Sequence, residues 1–138
     1  MIRFSRAIAE AVKDFSENEY PNECCGVILG RMEDGASVAS QLQKASNSSE
    51  ESARRRRFSI SPEELMKADV RARKLGLDVI GFYHSHPDAP AVPSERDREL
   101  AFPVYSYVIV SVMEGKARDF RSWVMRGGAF GEEVVEIC

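Results

Sequence analysis

The chain of 138 residues carries 22 acidic against 19 basic side chains, and a net charge of −3 argues against a general nucleic-acid binder, which shows a basic excess. Hydrophobic residues at 43% and charged residues at 30% are enough to bury one core, so a single domain over residues 1–138 is expected. No apolar run approaches the roughly 20 residues of a membrane span, and MIRFSRAIAEAVKDF mixes charged with apolar residues unlike a signal peptide; a cytoplasmic protein with no membrane partner is the expectation.

Ile8, Val12 and Phe15, with Ala11 beside them, form a helical stripe from about Ser5 to Asn18. Tyr20-Pro21-Asn22 punctuates it. CCGVILGR, residues 24–31, is a short continuous apolar run, the pattern of a buried strand. Cys24, Cys25 and Cys138 are too few, and odd in number, for a disulfide framework. Reduced thiols are expected, with a bridge from Cys24 or Cys25 to Cys138 as the alternative. Asp34-Gly35 marks a hairpin turn into a second strand that reaches Ala45.

NSSEESARRRR, residues 47–57, has acidic then basic charge and no large apolar residue, which predicts an exposed loop. Its Arg54 to Arg57 run is either a solvated surface or an attractor for an acidic partner. FSIS, residues 58–61, returns to a strand pattern. Ser61-Pro62-Glu63-Glu64 opens a helix with Ser as N-cap and Pro at its first position; Leu75 ends it and Gly76 stops it. DVIGFYHSHP then reads as a strand, SERDRELA as a short helix and YSYVIVSV as a deeply buried strand. ARDFRSWVMR and FGEEVVEI are two further strands joined at Gly127-Gly128. Helices alternate with strands while hairpins are plentiful, so the fold class is α/β (α+β), with helices layered on a mixed sheet.

Both histidines of the chain fall in HSHPDAPAVPSERD, residues 84–97. His84 and His86 are i and i+2 on a strand, which puts both imidazoles on one face with Cα atoms roughly 6–7 Å apart. That geometry lets two rings converge on one zinc, and Asp97, in the first turn of the returning helix, is a candidate third ligand. The plainer readings are a solvated histidine pair and, for Ser94-x-x-Asp97, a capping box of the same form as Ser61-x-x-Glu64. A serine that caps the helix can also face the site, so the two roles do not compete. Ser85, between the histidines, faces away by alternation and is structural; Asp88 is a turn residue or a partner to a histidine.

His84-Ser85-His86-Pro87, seven residues from Pro87 through Pro93, and then Ser94-x-x-Asp97 resemble the signature of the JAMM (MPN-plus) zinc metallopeptidase family, His-x-His-x(7)-Ser-x-x-Asp. That family also has a glutamate at the start of its first central strand, and YPNECCGVILG offers Glu23 at the matching place. The likeness continues through FSISPEEL and YSYVIVSV and covers most of the chain. Without it, Glu23 reads as an exposed carboxylate ahead of a strand.

The resemblance implies a three-layer α/β/α JAMM domain with a cytidine-deaminase-like architecture. It implies one Zn2+ on His84, His86 and Asp97, Glu23 as general base and acid, and Ser94 as a donor to the oxyanion. Cys24 and Cys25 are then not ligands, since His/His/Asp completes the protein side of a catalytic zinc. It further implies hydrolysis of an amide or isopeptide bond at the C-terminal tail of a ubiquitin-like or sulfur-carrier protein with a Gly-Gly-type terminus, with release of cysteine or another amino acid. The rival functions are a zinc nucleoside deaminase, whose Pro-Cys-x-x-Cys element is absent, a DNA-repair relative, which the acidic balance disfavours, and a catalytically silent MPN-type scaffold that binds a protein partner.

Overall fold

The computed structural model describes residues 1–46 and 60–138. In chain order their elements are β1 (Ile2–Phe4), α1 (Arg6–Glu19), β2 (Cys25–Glu33), β3 (Ala36–Ala45), α2 (Pro62–Lys74), β4 (Asp78–Pro87), α3 (Glu95–Leu100), β5 (Ser106–Met113), β6 (Lys116–Arg126), β7 (Ala129–Glu133) and β8 (Val135–Ile137). The loop and strand expected at 47–57 and 58–61 lie outside the described residues, apart from Ile60 and Ser61. Those two enter α2 without strand pairing.

Local signals place most boundaries. The Ser5 hydroxyl accepts from the Ile8 N–H and caps α1, and the Ser61 hydroxyl accepts from the Glu64 N–H and caps α2. Glu64 does not complete a box at that cap. Its carboxylate instead accepts from the Ser46 N–H at 2.9 and 3.1 Å, which ties the start of α2 to the end of β3. Asp34 and Gly35 both have positive φ, 50° and 79°, as a tight two-residue hairpin between β2 and β3 requires.

The strands form one mixed sheet in the order β7-β6-β5-β4-β2-β3-β1-β8. β2 runs antiparallel to β3 and β4, whereas β4 and β5 are parallel and joined through α3. Alternation along the strands sends residues to two separate cores. Ile28, Ile80, Tyr83 and Val108 meet Ala9 and Val12 of α1 on one face, while Val27 and Leu29 meet Ala68 and Ala72 of α2 on the other. The result is the expected three-layer arrangement around a mixed sheet. β2 is buried from Cys25 through Gly30 because it has a helix over each face.

The closing segment departs from the expectation of one strand, FGEEVVEI. It divides at Val134 into β7, which pairs with β6, and β8, which pairs in parallel with β1. A single residue thus joins the two ends of the strand order, so the sheet curls until its edges meet. The Ile2 N–H donates to the Val134 carbonyl and carries the β1–β8 pairing up to this residue. β1 is too short for its periodicity to be read in the sequence, and without it the partner of β8 is invisible.

Cys24, Cys25 and Cys138 are all free thiols, so the alternative of a bridge to Cys138 does not hold. Burial raises the Cys24 thiol to about 11 and the Cys25 thiol to about 12, whereas Cys138 is exposed. Alkylation of the native protein near neutral pH should therefore modify Cys138 alone, with all three thiols reacting after unfolding. Intact-mass measurement reads the difference, and fast labelling of Cys24 or Cys25 in the native state would contradict this packing.

Candidate metal centre

Glu23 and His84 are 61 positions apart in the chain. The antiparallel β2–β4 ladder closes that distance, because its terminal pair is Cys25 opposite His84. Glu23 lies two residues before this pair, just outside the ladder, and is carried to the same end of β4. The C-terminal end of β4 and the crossover through α3 then bring in Ser94 and Asp97, at the carboxyl end of parallel strands where α/β sheets place their ligand crevices.

Among the described residues, His84, His86 and Asp97 form a group of possible metal ligands whose donor atoms all lie within 4.8 Å of one another. His84 Nε2 is 3.2 Å from His86 Nε2 and 3.2 Å from Asp97 Oδ1, and His86 Nε2 is 3.1 Å from Asp97 Oδ2. Three donors around a tetrahedral zinc with bonds of about 2.0 Å are separated by about 3.3 Å, the edge of the tetrahedron. The two imidazole nitrogens stand at that spacing, and each lies at a like distance from a different oxygen of the Asp97 carboxylate.

The surroundings orient each candidate ligand. His86 Nδ1 lies 2.9 Å from the Pro90 carbonyl oxygen, which can only accept, so Nδ1 carries a proton and Nε2 faces inward. The loop that supplies this carbonyl is fastened by the Ser111 hydroxyl, which donates to the Ala89 carbonyl, and by the Trp123 indole N–H, which donates to that of Ala91. Ser94 and Asp97 do form a reciprocal capping box. The Ser94 Oγ accepts from the Asp97 N–H at 3.1 Å, and Asp97 Oδ2 accepts from the Ser94 N–H at 2.9 Å. One carboxylate thus serves the helix cap and the metal-ligand group together. Ser94 itself is exposed, and its hydroxyl proton remains available to donate.

Glu23 is 4% exposed, against the sequence reading of an exposed loop carboxylate that its flanks alone favoured. Burial pushes its carboxyl up to about 8; His86 acts to lower it and Asp97 to raise it. Asp97 goes the opposite way. Burial opposes its ionisation, yet His84, His86 and the Ser94 N–H outweigh that and hold it far below the usual carboxylate range. Burial keeps His84 below its ordinary value, whereas for His86 the bonds to Asp97 and Pro90 overcome burial and raise it.

One recess opens onto the group. Ile60, Leu65, Phe82, Leu100, Phe102 and Tyr107 line this apolar space of about 180 Å³, which reaches His84 and Asp97. A separate cleft of about 450 Å³ is lined by Phe15, Glu19, Asn22, Lys44, Tyr83 and the two adjacent cysteines and does not reach the ligand group. Ser85 faces away from the ligand group as alternation predicts and accepts from the Cys24 N–H at 2.8 Å, and Tyr20, which has no role at the site in the sequence reading, donates to Asp88 at 2.6 Å. Nothing in the local composition marks Tyr20. Ser85 was identifiable only by its place between two histidines.

A layered mixed sheet that carries a buried His-His-Asp group beside a proton-holding carboxylate has the make-up of a metallopeptidase-type hydrolase. Residues 5–126 match the family of prokaryotic homologs of the JAB domain, and the chain belongs to that family. It is 34% identical over 106 residues to a desampylase of Haloferax volcanii, covering 76% of this chain and 73% of that one. It is 44% identical over 48 residues to a probable TtuB-protein conjugate cleaving protease of Thermus thermophilus, covering 35% of this chain and 32% of the relative. The solution structure of protein DSY2949 from Desulfitobacterium hafniense superposes with a TM-score of 0.88 at 29% identity, over all of this chain and 93% of that one. No helix of the described residues is long and apolar enough to cross a membrane.

The environment of Glu23 sets a pH dependence for protein stripped of metal by a chelator. In the unfolded chain Glu23 ionises near 4.5, whereas in the folded protein it keeps its proton to about 8. Between these values the native state binds more protons, so this group makes stability fall as pH rises from 4.5 to 8. Glu23→Gln removes that slope. The melting temperature of the stripped variant should rise relative to stripped wild type across this window, and a constant difference would show that Glu23 is not held protonated.

Proposed function

We propose that this chain is one catalytic domain, a zinc-dependent peptidase or isopeptidase that hydrolyses an amide bond at the C-terminal tail of a ubiquitin-like or sulfur-carrier protein. The observation that carries this reading is the mutual spacing of 3.1–3.2 Å among the donor atoms of His84, His86 and Asp97, with Glu23 buried alongside. The substrate class is supported by the relatives, one called a desampylase and another a conjugate cleaving protease. An extended Gly-Gly-type tail is the natural fit, since hydrolysis of its last bond releases cysteine, another amino acid or a target protein. The free thiols support work in a reducing compartment, the cytoplasm.

His84, His86 and Asp97 would hold the zinc, which supplies a Lewis acid and a bound water of lowered pKa. The protein's own groups account for the remaining steps. Asp97 stays ionised, so the ligand set carries one negative charge throughout. The Glu23 carboxylate takes the proton of the attacking water and delivers it to the leaving amine, and a raised proton affinity suits it to both duties near neutral pH. The Ser94 hydroxyl donates to the oxygen of the scissile carbonyl as negative charge develops there, while its acceptor side still caps α3.

Incubation with small Gly-Gly-ending proteins, bearing an amino acid or a protein on the terminal glycine, tests the proposal by intact mass. Wild type should trim a carrier, lose activity to a chelator and regain it with zinc. Glu23→Gln should bind zinc normally yet lose about 10²–10⁴-fold in kcat. Binding of the carrier without turnover in zinc-loaded wild type would instead establish the silent scaffold.

Ser94→Ala should lower kcat by about 10²–10³-fold as one oxyanion donor is lost. The missing cap should also cost about 1 kcal/mol of stability. Melting the variant beside wild type separates the two effects, and normal turnover would remove Ser94 from the chemistry.

A further inference from the structure

Glu23 lies beyond the regular pairing of the sheet. The last β2–β4 pair is Cys25 with His84, and residues 23 and 24 belong to no strand. The spacing of the Glu23 carboxylate from the metal ligands is therefore not set by the ladder. Two polar tethers cross this gap. At residue 24, the Ser85 N–H donates to the Cys24 carbonyl at 3.0 Å, and the Cys24 N–H donates to the Ser85 hydroxyl at 2.8 Å. At residue 20, the Tyr20 hydroxyl donates to Asp88 Oδ2 at 2.6 Å. Asp88 is itself anchored, because its Oδ1 accepts from the Glu114 N–H at 2.8 Å and its own N–H donates to the Val112 carbonyl at 2.7 Å.

We infer that Ser85 and Asp88 are positioning residues that hold the segment bearing Glu23 in register with His84 and His86. This rests on the reading of Glu23 as general base. Both lie in the ligand-bearing segment, one between the histidines and one two residues past His86, so each ties the base to the element that carries the ligands. Strand alternation turns the Ser85 side chain away from the ligand face, and its hydroxyl serves the Cys24 N–H instead. A buried N–H must find a partner, and no ladder pairing reaches residue 24 to provide one. Asp88 holds a left-handed backbone, φ 52°, that turns the chain just after Pro87, and its carboxylate gathers the end of α1 and the β5–β6 turn. A base displaced by about 1 Å loses on the order of 10²-fold in rate, so a hydroxyl outside the chemistry can govern kcat.

The test measures kcat, KM, zinc stoichiometry and melting temperature for Ser85→Ala, Ser85→Thr, Asp88→Asn and Tyr20→Phe, in zinc-loaded protein with a carrier conjugate. Each is also combined with Glu23→Gln and followed at single turnover with excess enzyme. Ser85→Ala should lower kcat by about 10- to 100-fold with KM and zinc stoichiometry unchanged. Ser85→Thr, which keeps the hydroxyl, should restore most of the loss, and in the Glu23→Gln background Ser85→Ala should cost nothing further. Tyr20→Phe removes one oxygen and should show the same pattern more weakly, which keeps the test open if Ser85→Ala does not fold. Equal losses in both backgrounds, a fall in bound zinc, or unchanged kcat in Ser85→Ala and Tyr20→Phe would overturn the inference. If Glu23→Gln itself turns over like wild type, the reading of Glu23 fails first, and the two failures are told apart.

Discussion

The structure turns on one pairing, Cys25 opposite His84 in the antiparallel β2–β4 ladder. From it follows the meeting of a glutamate before β2 with two histidines at the end of β4. A slip of one residue would send His84 and His86 to the α1 face and Tyr83 to the α2 face. Tight packing guards against such a slip. A Cβ on Gly26 would lie 2.2 Å from the Tyr83 ring, and one on Gly81 would lie 2.2 Å from the Ser106 carbonyl oxygen. Glycine at these two positions lets the ring of a fully buried tyrosine and the neighbouring β5 approach the backbone.

The same pairing explains the electrostatics of the site. Four ionisable side chains, Glu23, His84, His86 and Asp97, are buried together at the end of a sheet whose flanks are apolar. Ionised groups out of water need partners, and the fold provides them unequally. Asp97 receives two imidazoles and a backbone N–H and keeps its charge; at Glu23 burial prevails and holds the proton. Two carboxylates of similar intrinsic acidity are thereby driven apart, one suited to permanent ligation and the other to proton transfer. The capping box at α3 belongs to this division, since the Ser94 N–H that orders the helix start also stabilises the Asp97 anion.

Much of the layering was legible in the chain. The Ser5 and Ser61 caps, the Asp34-Gly35 turn, the continuous apolar run of β2 and the strand DVIGFYHSHP each depend on neighbours within a few residues, and each is found where local chemistry puts it. The histidine pair and Ser94-x-x-Asp97 were legible for the same reason, since strand alternation and a capping box are local geometry. The division of the last strand at Val134 was not. Only the choice of partner, β6 on one side and β1 on the other, separates β7 from β8.

By itself, the sequence determined most of the elements and the placement of His84, His86, Ser94 and Asp97 within one strand–loop–helix unit, because those relations are set by short-range backbone geometry. Glu23 could be named only by likeness to a family, since nothing in residues 20–24 predicts burial or a raised proton affinity. Tertiary structure decided both, through a register that spans 61 positions of chain and through Ser85, Tyr20 and Asp88, whose hydrogen bonds join segments far apart in sequence. Contacts of that kind depend on which strand lies beside which, and that choice belongs to the packed sheet as a whole.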